Sequence, residues 1–145
     1  MSQRISQERA YNFLLAGKAQ FTLHNTQPRK KSEDQFTYTI KQKSPGIWWV
    51  YTSTVYIGFL RGDVFVRKNQ PEGQFAPHIE KSIEVFTWFW KALIAQRIPY
   101  NIHILNVGQC GYCGKKLTDA VSIEYGIGPQ CRKKLGITVK KEETV

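Results

Sequence analysis

All three cysteines of this chain, Cys110, Cys113 and Cys131, fall within 22 residues near its C-terminus, and their spacing narrows the fold more than any other feature. The run Cys110-Gly-Tyr-Cys113-Gly114 is a Cys-x2-Cys-Gly turn that points two sulfurs at one spot. Gly114 lets the backbone fold back and aim N–H groups at them. The segments 115–118 and 121–125, flanking Asp119-Ala120, read as a hairpin. Gly126-Ile-Gly128-Pro129 then leads to Cys131 just inside a helix, since proline is favoured at the first helical position. Knuckle, hairpin and helix with a ligand in its first turn make a treble-clef-like module around a structural Zn²⁺. A disulfide between Cys110 and Cys113 would leave Cys131 unpaired. A redox Cys-x2-Cys pair would want a helix directly after it.

Such a site takes four ligands, and three are thiolates. His103 stands seven residues before Cys110 on an expected strand, and a turn at Gly108 would return its imidazole to the metal. Asp119, Glu124, His78, His24 and a water are the alternatives.

The run Cys110-Gly-Tyr-Cys113-Gly-Lys-Lys-Leu-Thr-Asp, with Ser122-Ile-Glu-Tyr-Gly-Ile-Gly-Pro-Gln-Cys131, resembles a motif of small phage and prophage proteins, mostly of unassigned function. The resemblance spans roughly residues 106–131, and a looser likeness extends upstream through Phe21-Thr22-Leu23, Phe36-Thr37-Tyr38, Tyr56-Ile57-Gly58 and the tryptophans around Trp88. It implies a zinc-binding phage protein. That family commonly has a histidine four residues before the first cysteine, where this chain has Asn106, a poor zinc ligand.

At 145 residues and 41% hydrophobic content the chain can close a real core, as one domain or one domain with a zinc module attached. The divisions expected are an α+β domain over 1–105, a zinc module over 106–137 and a charged tail over 138–145. The N-terminus has no apolar leader, no run approaches membrane-spanning length, and cysteines in metal spacing suit a reducing compartment. A soluble monomer in the host bacterial cytoplasm is expected.

Residues 3–16 read as a helix ending at Gly17. Segments 19–24, 35–41, 47–51, 55–60 and 63–67 read as strands with short turns at 44–46 and 61–63, giving an antiparallel meander of about five strands. Phe36, Tyr38 and Ile40 alternating with Thr37, Thr39 and Lys41 show the pattern most clearly. After a Pro/Gly loop over 68–78, apolar residues at 3- and 4-residue spacing predict one long helix over 79–97, packed on the sheet. Its aromatic series Phe86-Thr-Trp88-Phe89-Trp90 suits a buried core better than a base-stacking platform. A last strand over 100–107 runs into the knuckle.

No nucleotide-binding loop, nucleophile elbow or His-Glu-x-x-His is present. A zinc-bearing HNH nuclease needs histidines on the hairpin and the following helix, yet His24, His78 and His103 all precede Cys110. His78-Ile-Glu80 nominally matches a deaminase, but no proline precedes the cysteine pair and Cys131 would go unexplained. The expectation is a non-enzyme that binds.

The formal charge of +10 calls for an acidic partner. Candidate contact residues are Lys115 and Lys116 on the knuckle, Arg132, Lys133 and Lys134 on the last helix, and Arg29, Lys30 and Lys31 in a loop. Together with the phage resemblance, these suggest a counter-defence protein that binds a host CRISPR effector nuclease and blocks target-DNA loading. The alternative is a zinc-containing phage accessory protein that binds DNA or RNA, with a metal-dependent nuclease the weaker third reading.

Overall fold

The computed structural model describes residues 3–30, 34–69 and 75–137. Lys31 and the tail 138–145 lie outside them. The fold is α+β: a seven-stranded antiparallel sheet with helices. The strands are β1 (Gln3–Ile5), β2 (Lys18–Asn25), β3 (Gln35–Ser44), β4 (Ile47–Thr52), β5 (Val55–Arg61), β6 (Val64–Arg67) and β7 (Ile102–Asn106), and the helices α1 (Gln7–Leu14), α2 (Pro77–Ile94), α3 (Ala120–Tyr125) and α4 (Pro129–Leu135).

The sheet order is β1-β7-β2-β3-β4-β5-β6. The expected meander forms β2 to β6. Two further strands extend it, because β7 pairs with the free edge of β2 and β1 pairs with β7. The chain's start is therefore not one helix over 3–16. Ile5 faces Ile104 across the β1–β7 pair, Ser6 is the N-cap of α1, and α1 ends before Leu15. A three-residue strand has too little sequence to show a period, and its backbone partners lie about a hundred residues away.

Period-two alternation sorts the strands' side chains onto two sides. Phe21, Leu23, Tyr38, Ile40, Val50, Ile57, Leu60 and Ile104 are buried on the inner side. Gly58 makes this possible at a bulge, where β5 shifts register against β4. A Cβ there would lie 2.7 Å from the Phe65 ring, so only glycine lets that ring fold inward. Phe65 then meets Phe86 of α2 with ring centroids 4.8 Å apart.

From α2, Ile79, Ile83, Phe86, Phe89, Trp90 and Leu93 enter the core at helical spacing. The polar tips of two of its aromatic residues are satisfied: Tyr38 donates its hydroxyl to the Ser82 carbonyl at 2.7 Å, and Trp90 donates Nε1–H to the Asp63 carbonyl at 3.1 Å. From α1, Ala10, Phe13 and Leu14 complete the core. The aromatic series divides: Phe86, Phe89 and Trp90 are buried, whereas Trp88 points outward. Among the described residues, no helix is long and apolar enough to cross a membrane.

Candidate metal centre

The metal centre is assembled at the exit of β7. Asn106 is fully buried, and its Oδ1 accepts the Gly108 N–H at 2.9 Å, which tightens the turn out of the strand. Gln109 bridges to Lys116, Cys110 donates its N–H to the Lys115 carbonyl, and Gly114, at φ 82, closes the knuckle back onto the Cys110 carbonyl.

The expected hairpin over 115–125 does not form; a helix stands in its place. Val121, Ile123 and Tyr125 mimic strand alternation, but stronger local signals bracket them. Asp119 is the N-cap of α3, its carboxylate accepting the Ser122 N–H at 3.0 Å, and Gly126, at φ 72, is the left-handed C-cap. Gly128 and Pro129 then start α4, and Cys131 sits in its first turn as expected.

The three sulfurs lie within 4.8 Å of one another, and none forms a disulfide. Cys110 and Cys131 are buried, and Cys113 is exposed. Cys110 is the pivot. Its sulfur accepts the Gly128 N–H at 3.3 Å and the Tyr112 N–H at 3.4 Å, so the knuckle and the start of α4 converge on one atom. Burial pushes the Cys110 thiol up, but the N–H groups of Gly128, Cys113 and Tyr112 outweigh it and hold the thiol below its ordinary value. Cys131 is pushed up to about 12, by burial and then by the neighbouring sulfurs of Cys113 and Cys110. Three adjacent thiols cannot all ionise beside one another unless a cation compensates them.

A tetrahedral ion bound at about 2.3 Å from each sulfur would hold them roughly 3.8 Å apart, which suits a cluster of this size. The donor set therefore fits a metal ion. Among the described residues, no histidine or carboxylate joins the three thiols. His103 in particular does not. It lies opposite His24 in the β2–β7 pair, the two rings edge to face at 6.2 Å. Strand alternation turns it away from buried Ile104 and Asn106, to the other side of the sheet. The Asn106 Nδ2 has no hydrogen-bond partner among the described residues.

Glycine and one phenylalanine dock the centre onto the rest of the chain. A Cβ on Gly111 would lie 2.8 Å from Phe13, and one on Gly126 2.5 Å, so both glycines lie flat against its ring. Gly111 donates its N–H to the Gly126 carbonyl and accepts the Lys18 N–H. Arg9 of α1 stacks over Tyr125 at 4.5 Å and pairs with Glu124 at 2.8 Å.

Arg132 does not share the exposed surface of the other basic candidates. It is buried, donating Nη1–H to the Ser122 hydroxyl and the Ile127 carbonyl, so it locks α3 to α4 from within. Lys115, Lys116, Lys133 and Lys134 are exposed. Arg29 and Lys30 line a groove of about 630 Å³ with Lys81, Asp34, Phe36 and the outward Trp88. Sequence reasoning missed the α3 cap and the role of Arg132. The Asp119-x2-Ser122 and Gly126 pair was the signal for the first, whereas a basic residue in a basic run carries none for the second.

Residues 103–136 match a family of unknown function (DUF6011). The match begins at His103, takes in the knuckle, α3 and α4, and ends at Gly136, the C-cap of α4. No curated protein and no solved structure matches the chain.

Proposed function

We propose that this is a zinc-stapled binding protein, acting without catalysis on a nucleoprotein partner. The observation that carries the zinc assignment is the convergence of three thiols on one buried pivot sulfur that takes two backbone N–H bonds. Thiolate sets suit Zn²⁺, Cu(I) or iron–sulfur clusters, and of these Zn²⁺ is the redox-inert ion of structural sites; backbone N–H groups directed at the sulfur spread the thiolate charge. Cys110, Cys113 and Cys131 hold the ion. The fourth position is open to water. When bound, the ion supplies a fixed positive charge that lets the thiolates coexist.

The metal would join the two elements that display Lys115, Lys116, Lys133 and Lys134, fixing four cations on one rigid module. A formal charge of +10 makes the partner polyanionic. In its sharpest form the reading is a phage counter-defence factor in the host cytoplasm, occupying the DNA-loading surface of a CRISPR effector nuclease. Support comes from the resemblance of the cysteine motif to phage proteins and from the charge. Capture of candidate effector complexes on the immobilised protein tests it. Retention of a complex by the wild type, but not by a variant with these four lysines changed to Gln, is expected. Equal retention by both would overturn the assigned surface.

The second reading, a DNA- or RNA-binding accessory protein, is favoured by the outer side of the sheet.

A further inference from the structure

The side of the sheet opposite α1 and α2 carries aromatic rings and cations in alternation. From β4 come Trp49 and Tyr51, and from β5 Tyr56 and Phe59, placed side by side by the Trp49↔Phe59 and Tyr51↔Tyr56 pairs. The bulge at Ile57–Gly58 keeps Tyr56 and Phe59 both outward while Ile57 and Leu60 stay buried. Trp49 and Tyr56 meet at 5.3 Å between centroids, and Tyr51 and Tyr56 at 5.7 Å. Val64 and Val66 of β6 extend the patch and are 60% and 42% exposed. Isolated exposed apolar residues are ordinary, but a contiguous ring cluster on an open sheet marks an interaction surface.

Its charge says what kind. Lys43 lies over Trp49 at 4.7 Å, Lys41 over Tyr51 at 5.6 Å, Lys68 over Tyr56 at 5.9 Å and Arg61 over Phe59 at 6.0 Å. The whole stretch 35–69 contains one carboxylate, Asp63, and that accepts the Tyr11 hydroxyl of α1. A face of rings and cations without carboxylates suits a ligand of flat bases and phosphates. An acidic protein would use the cations but leave the rings unmatched.

We propose that this open face of β3–β6 binds single-stranded nucleic acid. Bases stack on Trp49 and Tyr56, with Tyr51 and Phe59 as flanking platforms. Lys41, Lys43, Arg61 and Lys68 swing from the rings to the phosphates. An exposed cation–π contact is weaker than a base stacked on the same ring, so the exchange favours the bound state. A duplex keeps its bases stacked inside and offers this face phosphates only. The inference rests on the polyanionic-partner reading above, but not on the metal.

Fluorescence anisotropy on the full chain tests it, with labelled oligo-uridine and oligo-thymidine of about twelve nucleotides and a duplex of matching length. Both single strands should bind more tightly than the duplex, with a salt slope of about −0.7 for each phosphate neutralised. Preference for oligo-uridine that persists against oligo-deoxyuridine would add a 2′-hydroxyl contact; equal binding would leave stacking and phosphates as the whole recognition. Changing Trp49→Ala with Tyr56→Ala should weaken single-strand binding by roughly 10-fold or more per ring and leave duplex binding unchanged. Trp49→Phe keeps a stacking ring, so it should bind within a few-fold of wild type while losing its share of the quenching of tryptophan emission by oligonucleotide. This variant controls for folding. Three results would overturn the proposal: no single-strand binding, undiminished binding by the ring variant with its thermal midpoint intact, or preference for duplex. Zinc-loaded protein that captures an effector complex yet ignores both oligonucleotides removes this inference and leaves the first reading standing. Protein that binds both oligonucleotides yet captures no effector complex does the reverse.

Discussion

The body of the sheet and the segment from Asn106 to Ile137 share one buried core, but the two are held by different means. The largest fully buried side chains, among them Trp90, Tyr38, Phe13, Phe21, Phe86 and Phe89, all belong to the body. Each contributes about 1.5–3 kcal/mol by leaving water. Of its hydrophobic residues the C-terminal segment buries only Leu117, Tyr125, Ile127 and two cysteines, and it leans on Phe13 from α1. Two helices of six and seven residues are too short to stand alone. Where a segment is too small to build a core, a bound ion can take the core's place, because its binding free energy becomes folding free energy.

The sharpest way to break this contrast is to remove the metal. Cys131→Ser, or a strong chelator, should take the zinc content from about one per chain to none. Hydrogen-exchange protection should be lost across 109–136 and kept in β2–β5 and α2. The binding free energy at stake in structural zinc sites is about 10 kcal/mol or more. Full protection of the module in metal-free protein would erase the distinction.

Alkaline titration gives the same contrast a sign. Without metal, the Cys131 thiol in the folded chain titrates near 12 against an ordinary 9.0, so the unfolded chain loses its proton first. The little stability that the module keeps without metal should be greatest below about pH 9 and fall as the pH climbs towards 12. In the metal-bound protein the thiols are already deprotonated, and that slope should vanish. Thermal melts of both forms across the range check it.

Gly126→Ala tests the contact between the regions. The left-handed conformation alone costs a non-glycine residue about 1–2 kcal/mol, and the new Cβ would meet the Phe13 ring. The loss should exceed that figure and fall on the module's exchange first. Gly136→Ala has the same φ and open space around it, so it should show the conformational cost alone. Equal losses would mean that Phe13 does not seat the module. The smallest effect expected is from Asp119→Ala, about 1 kcal/mol for a lost N-cap, confined to α3 and visible in its amide exchange.

How far the sequence could be read followed how local each signal was. Strands β2 to β6 were legible because alternation such as Phe36/Tyr38/Ile40 depends on neighbours two apart. Helix α2 was legible as an amphipathic stripe, though it starts at Pro77 and ends at Ile94 rather than spanning 79–97. Its C-terminus is set by Gln96, which adopts φ 55 and turns the chain out of the helix. The α3 region misled because a short run with apolar residues at every second position fits strand and helix alike. There the caps decide, not the period.

The sequence by itself determined that three thiols would meet, since a two-residue turn and a helix start bring them together through short stretches of backbone. It also determined which residues of each strand share a side. Only the tertiary structure decided which of those sides is covered. β7 settles on the edge of β2, and that choice turns His103 away from the thiols. α2 closes one face of the sheet and leaves Trp49 and its neighbours open on the other. Arg132 disappears between α3 and α4 although it reads as one more surface cation. These outcomes depend on pairings across most of the chain, whose loop-closure cost is repaid only when the whole core forms, so no local pattern records them.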